Sequence, residues 1–533
     1  MRSTFMGLET AKRGMFTQQG ALYTTGHNIA NANTPGYSRQ RVNFEQTEPY
    51  PPVSMNRPQI PGQMGSGVEA GSVQRVREKF LDVQYRGENN KFGYWEGKME
   101  AMKKMEEVMN EPSDSGLAKT MDMFWQSLQD LAVNPTNSGA RSVVRQRGVA
   151  VAETFNYISS SLSSIRKDLK NEINVSEDGL NSLTRQIDSL NKRIGDVEPH
   201  GYLPNDLYDE RDRLIDDLSK LVDIQVTYES SGGASMPIAD GQARITLMNE
   251  NGQASAELVG ADGAKEIKVL TEGPNGEVSK IQVGTTELNP NDFTSEGKLR
   301  GLMEMYGYQD FSTNPQGEVK GAYTDMLSEL DNLAFTFSKE FNEIHAAGMG
   351  LNEIENGTNE ENVFFVDPGQ GTGGTLPTGS DLTDHLGERE GFASRIGISQ
   401  VIKNDLDNIA SADGSNPAAG TAGDASVIKE LADLINKPFE YKEGSGEEAD
   451  FRNYYEGVIG SMAVISQESV RMTNNSDVLR QAVEERKMSV SGVSLDEEMT
   501  NMIKFQHAYN ASARMITLQD EMLDRIINGM GAR

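Results

Sequence analysis

The sequence has 533 residues, 36% of them hydrophobic, no cysteine, and a formal charge of −30 at neutral pH. That length points to about three or four domains, and a mean hydropathy of −0.55 suits modest cores with much exposed surface. Repulsion from phosphate argues against nucleic-acid binding, and the missing cysteines exclude disulfides, thiolate catalysis and cysteine-based metal sites together.

Leu8, Met15, Leu22 and Ile29 recur every seven residues, with Phe5 and Ala11 on or beside the same face, so an amphipathic helix is expected first. Gly, Thr, Gln, Lys and Arg interrupt residues 1–30, so no cleavable signal is expected there. The helix stops at GHNIANANTPGYSRQ (Gly26–Gln40). Asn28, Asn31, Asn33 and Thr34 can cap backbone groups at the exit. Pro35 fixes φ and Gly36 accepts positive φ, so Thr34–Tyr37 reads as a type II turn. Tyr37, Arg39 and Arg41 have two readings, contact with an adjacent subunit or packing within their own. Val42 and Phe44 alternate with polar neighbours, as in a short strand. GSGVEAG (Gly65–Gly71) lacks the spacing and context of a phosphate loop.

Met99, Met102, Met105 and Met109 fit adaptable core packing, with Trp95 and Trp125 as core anchors. Val151–Val197 carries the longest helical pattern: Val151, Phe155, Ile158, Leu162, Ile165, Leu169, Ile173, Ser176, Leu180, Leu183, Ile187, Leu190, Ile194 and Val197. Unbroken it spans roughly 70 Å, with Gly179 as a point of interruption. Asn205–Val222 is a second amphipathic helix. Ile224–Glu229 and Ala243–Gly252 then alternate, and Asn251-Gly252 and Asn275-Gly276 are hairpin pairs, so residues 224–300 read as a small β domain. Helical patterns resume at Tyr323–His345 and Asn453–Lys487. Residues 347–450 between them hold 20 Asp+Glu and 6 Lys+Arg, a net of −14, in glycine-rich loops with short elements.

The far end mirrors the start. Leu495, Met502, Tyr509, Ile516 and Leu523 repeat every seven residues, with Met499, Ala513 and Ile527 interleaved and Gln506 and Asp520 breaking that second row. Two narrow stripes can bury each other as a hairpin closing a domain or as a seam between subunits; periodicity leaves both open. No stretch approaches the ~18 apolar residues of a membrane span, so no membrane insertion is expected. The five His (His27, His200, His345, His385 and His507) show no metal-ligand spacing, and no nucleotide-binding or nucleophile motif is present. No catalytic, cofactor or metal residue is therefore expected. The pairs Asp216-Asp217 and Glu484-Glu485 read as solvated helix faces.

NIANANTPGYSRQ near the start resembles the signature shared by axial proteins of the bacterial flagellum, and Ser491–Ile527 resembles their C-terminal partner helix. Rod and hook proteins have similar ends. The interior is similar to the first hook-associated protein family, the hook–filament junction proteins: Pro204–Val226, Leu330–Met349, Val363–Phe365 and Ile398–Ala412 carry that resemblance. The resemblance implies a structural, non-enzymatic protein. The resemblance also implies export through the flagellar type III apparatus without a cleaved signal, and assembly outside the cell with copies of itself, the hook protein and a second junction protein. An export chaperone would hold the C-terminal helix.

The expected fold is mainly α with inserted β and mixed domains, the terminal helices pairing as a coiled coil. The expected divisions are 1–60 with 488–533, 61–223 with 301–346 and 451–487, 224–300, and 347–450. A hook or rod component is the alternative within the class. A hydrolase housed in the acidic insertion is the alternative outside it.

Overall fold

The computed structural model describes residues 5–51, 53–55, 62–109, 113, 116–249, 251–312, 314, 317–358, 360–370, 385–415, 420–442, 446 and 448–529. The expected boundary at residues 60 and 61 lies outside them. Helix α1 (Met6–Ala30) leads into an antiparallel ribbon of β1 (Gln40–Gln46) and β2 (Val68–Arg75). Four helices follow: α2 (Lys79–Met109), α3 (Leu117–Val133), α4 (Ser138–Val197) and α5 (Asn205–Leu221). The first insertion holds a four-stranded sheet of β3 (Ile224–Glu229), β4 (Gln242–Met248), β5 (Ala254–Gly260) and β6 (Gly263–Ala264). Beside it is a three-stranded sheet of β7 (Ile267–Leu270), β8 (Lys280–Val283) and β9 (Thr286–Leu288). After α6 (Lys298–Tyr306), the hairpin of β10 (Tyr308–Asp310) and β11 (Glu318–Lys320), and α7 (Ala322–Ala347) comes the second insertion. It joins α8 (Leu351–Asn356), α9 (Gln400–Asn404) and α10 (Ser426–Asp433) through two-residue strand pairs. The chain ends in α11 (Phe451–Ser491) and α12 (Leu495–Ile527).

The long helix is continuous over 60 residues, roughly 90 Å. Its expected apolar row is buried at Val151, Phe155, Ile158, Leu162, Leu169, Ile173, Leu180, Ile187, Leu190 and Ile194. Gly179 does not interrupt it: the position faces open space, and neighbouring helical residues carry the ladder past it. The helix also starts earlier than its apolar pattern, at Ser138, because its first turns are buried in another way. Arg141, fully enclosed, donates to the carbonyls of Pro135, Leu406 and Ile409 and to Ser411 Oγ. At Gly148 an added Cβ would stand 2.7 Å from the Phe364 ring. The acidic insertion is thus seated on α4 by an arginine and a glycine, neither of which a hydrophobic period reveals. An aromatic cluster of Phe124, Trp125, Phe337, Phe341, Phe364, Phe365 and Phe451 holds it from the other side. Met102, Met105 and Met109 are core residues, while Trp95 is half-buried beside Tyr94.

Among the described residues, one device fastens strands to helices four times. A buried helix asparagine offers its carboxamide to a strand residue, donating to the C=O and accepting the N–H, as a neighbouring strand would. Asn181 does this to Ile267, Asn191 to Ala243, Asn342 to Phe365, and Asn28 to Gln40. Asn191→Ala should leave one buried donor and one buried acceptor of β4 unpaired. Urea unfolding should then show the first insertion weakened by about 1–3 kcal/mol; a change within error would mean water replaces the carboxamide.

Candidate assembly site

Helices α1 and α12 lie side by side and antiparallel. A Cβ on Gly7 would sit 2.8 Å from Gln519 Nε2, and one on Gly14 3.3 Å from Ser512 Oγ. Asn28 Nδ2 donates to Glu498 Oε2 at 3.0 Å. The pairs step forward along α1 as they step back along α12 by equal amounts, and buried Ala21 completes the line. The line of closest approach is therefore Gly7, Gly14, Ala21 and Asn28, one residue before the expected row. Leu8, Met15, Leu22 and Ile29 are half-buried flanks. Small side chains let the backbones approach, and the large ones close over the sides.

On α12, Met502, Tyr509, Ile516 and Leu523 are half-buried on the covered side. The interleaved row is corrected: it runs through Phe505, Ser512 and Gln519, whereas Met499, Gln506, Asp520 and Ile527 are exposed. Leu495 is also outside the covered side, 49% exposed. A second stripe of Met515, Leu518 and Met522 is left open to solvent, and Met499, Ile503 and Ile526 are exposed elsewhere around the helix, each of the six at 43–57%.

The exit from α1 is a hydrogen-bonded turn, with Tyr37 N–H donating to Thr34 O at 3.2 Å and Gly36 at φ +80°, as the type II reading requires. Asn31 Nδ2 donates to His27 O, and its Oδ1 accepts from Thr34 Oγ1. Asn33, Thr34, Pro35 and Gly36 form the exposed tip. Asn28 is the buried centre: Nδ2 donates to Gln40 O and Glu498, and Oδ1 accepts from Gln40 N–H and the Tyr37 hydroxyl at 2.7 Å. One side chain thereby joins α1, the turn, β1 and α12. Burial, with Asp206, Asp209 and Glu498 nearby, raises the Tyr37 hydroxyl above its ordinary pKa. Tyr37 and Arg39 face their own chain, Arg39 N–H donating to Ser491 O and its guanidinium pairing with Glu497 at 2.5 Å. Arg41 is exposed.

Beneath the turn lies an ionic hub. Arg75 of β2 reaches Asp209 (2.7 Å), Asp212 (2.9 Å) and Asp240 (2.5 Å). Arg77 pairs with Asp82 (2.6 Å) and Asp212 (3.3 Å), Arg86 with Asp216 (2.7 Å), and Lys487 with Asp82 and Asp216. Ser38 N–H donates to Asp209. Burial opposes the charge on Asp212, but Arg77, Arg75, Arg211 and Arg86 outweigh it and hold the carboxyl far below the usual range. The solvated-face reading of Asp216 is thereby overturned, since its carboxylate is held by Arg86 and Lys487; Asp217, Glu484 and Glu485 are exposed as expected. The hub escaped the sequence reading because its partners come from five separate segments. The signal available was the i, i+3, i+7 spacing of Asp209, Asp212 and Asp216 on one face of α5.

A family model described as the helical domain of the flagellar hook-associated protein FlgK matches residues 102–364. Two models of flagellar basal body rod proteins match only the ends, residues 8–37 and 486–529. Flagellar hook-associated protein 1 of Bacillus subtilis (strain 168) is 44% identical over 539 residues, covering 100% of this chain and 99% of that protein. The chain belongs to the flagellar hook-associated protein 1 family. The Escherichia coli (strain K12) member is 23% identical, with 98% of this chain and 99% of that protein covered. The solved structure of the flagellar hook junction protein FlgK from Burkholderia pseudomallei shares the fold, with a TM-score of 0.54 and 14% identity over 78% of this chain and all of that one. Among the described residues no helix is long and apolar enough to cross a membrane.

Proposed function

We propose that this chain is a structural subunit of the hook–filament junction, assembling with copies of itself on the hook and presenting a platform to a second junction protein. The observation that carries the reading is the end-to-end match to hook-associated protein 1, which includes the interior as well as both terminal helices. Matches to rod proteins stop at the ends, which disfavours a rod or hook component. Function here requires no bond to be made or broken, and the chemistry is burial of apolar surface between subunits.

In this reading α1 and α12 form a short antiparallel coiled coil within a terminal domain of residues 1–60 and 488–533. The helical body, the β-rich insertion and the acidic insertion stand outside it. Leu8, Met15, Leu22 and Ile29, with Met502, Tyr509, Ile516 and Leu523, steady the pair, and the open stripe of α12 meets a neighbouring copy. The protein reaches its place outside the cell through the flagellar type III apparatus, with a cytoplasmic chaperone shielding α12 beforehand.

Electron microscopy of cells lacking the protein tests the role. Bare hooks with filament subunits released to the medium are expected; absent hooks would move the protein to an earlier step. The stripe has its own test. Met515→Asp and Leu518→Asp should abolish incorporation into the junction while the melting temperature of the purified chain stays within about 1 °C, because exposed positions lose little on folding. A fall of several degrees would mean the stripe is buried within the single chain.

A further inference from the structure

The two insertions sit on α4 as two saddles on one rod. Arg141, Gly148 and Asn156 carry the second insertion, with Asn156 Nδ2 donating to Ile396 O at 3.1 Å. Arg166, Glu177, Asn181 and Asn191 carry the first, with Glu177 accepting Val269 N–H at 2.8 Å. Between the saddles lies a cleft of about 650 Å³, lined by Ser159 and Ser163 of α4 and by Thr324 and Ser328 of α7. Long helices curve readily, and one with an open face between two loads can change the angle between them.

Two turns lining this cleft, one from each insertion, meet each other. Arg166 pins the first: it donates to Asn275 O at 3.4 Å, pairs with Glu277 at 3.2 Å, and lies over the Tyr306 ring, whose hydroxyl donates to Gly276 O. Glu277, 1% exposed, in turn accepts Asn275 N–H at 2.9 Å. Asp331 of α7 pins the second turn by accepting Gly391 and Ala393 N–H, and Arg395 donates to the carbonyls of Glu388 and Glu390. Both turns are thus held through their backbones, so the side chains on them start from fixed points. At the meeting point Asn275 Nδ2 donates to Glu390 Oε1. We propose that Asn275 and Glu390 are positioning residues of a brace that ties the two insertions across the cleft and fixes the angle of α4 between its saddles. A braced body offers both insertions to a neighbouring subunit at one spacing; that use rests on the assembly reading above, and the brace itself does not.

The chain has no cysteine, so spin labels go only where they are placed. Asp262→Cys in the first insertion and Lys429→Cys in the second put them at exposed positions. Pulsed EPR on the soluble full-length chain should give one dominant distance. Asn275→Ala should lower the ratio of that distance to all others by about threefold, the scale of one exposed bond to a charged acceptor. Asn275→Asp sets two carboxylates against each other and should lower it by about tenfold. Asn275→Asp combined with Glu390→Gln moves the donor to the other side of the contact and should restore the ratio. Both positions are exposed, so the melting temperature should stay within about 1 °C in all three variants, which separates a lost brace from a damaged fold. A distribution unchanged in Asn275→Asp, or not restored by the double substitution, overturns the proposal. Electron microscopy of cells lacking the protein judges the assembly reading separately.

Discussion

Asp212→Ala should lower the unfolding free energy of the body by about 3–5 kcal/mol, the cost of removing one partner from a buried ion pair and stranding the others. Its carboxylate is 3% exposed and faces Arg75, Arg77 and Arg86 at 2.9, 3.3 and 3.6 Å. The three guanidinium groups are largely shielded from solvent, so the excess positive charge must be relieved by moving β2 away from α5. The loss would therefore spread outward. The terminal helices meet the body through the exit turn, the ribbon and the short α11–α12 link, and Arg75 and Arg77 anchor the ribbon's last residues. A neutral Asp212→Asn side chain keeps one acceptor and should cost less. Urea unfolding monitored by circular dichroism gives the first number. Limited proteolysis of the ribbon, residues 40–76, gives the second, with cleavage faster in the Ala variant. A loss below about 1 kcal/mol would show that Asp82, Asp209, Asp216 and Asp240 satisfy the arginines without it. The carboxyl of Asp212 is held far below its ordinary pKa, so this contribution persists above about pH 4 and is lost only as pH falls further.

Period and turn chemistry were legible because they are local. The row from Val151 to Ile194, the Thr34–Tyr37 turn and the strands at Ile224 and Gln242 each follow from spacing within one segment. What stayed hidden is what depends on distant partners. Gly7 and Gly14 fall outside the apolar row, yet they set the line of closest approach, because a missing side chain matters only once another helix lies against it. Arg141, with no carboxylate near it in sequence, carries no local sign that it is a buried staple on backbone carbonyls. Asn181, Asn191 and Asn342 look like polar gaps in an apolar stripe, yet they complete strand edges. Apolar periodicity found the correct faces of the terminal helices to within one residue. The error was in which side chains lie at the centre, because hydrophobicity scores transfer from water and is blind to how closely two backbones can come.

Acid should act on the acidic insertion through two groups of opposite sign. His345 is enclosed, with Nδ1–H donating to Asn362 O at 2.7 Å and Nε2 accepting Ala410 N–H at 3.1 Å. Both nitrogens are committed to the neutral ring, and burial, aided by nearby Arg141, holds its pKa down to about 4. Between pH 6.5 and 4 the unfolded chain binds a proton that the folded one refuses, so stability falls as pH falls, by about 3 kcal/mol over the window. Asp331 works the other way. It accepts N–H bonds from Gly391 and Ala393, at 2.7 and 2.9 Å, and burial lifts its pKa to about 6. Between pH 6 and 4 the folded chain takes up the proton first, so acidification adds stability of similar size. The two largely cancel in the native protein, and the variants separate them. Relative to the native profile, Asp331→Asn should lose about 3 kcal/mol more between pH 6.5 and 4, whereas His345→Gln should gain about 3 kcal/mol over the same range. Urea unfolding followed by tryptophan emission at half-unit pH steps reads both, since Trp125 sits in the aromatic cluster beside the insertion. Profiles that run parallel to the native one in both variants would remove these two groups as the source of the insertion's response to acid.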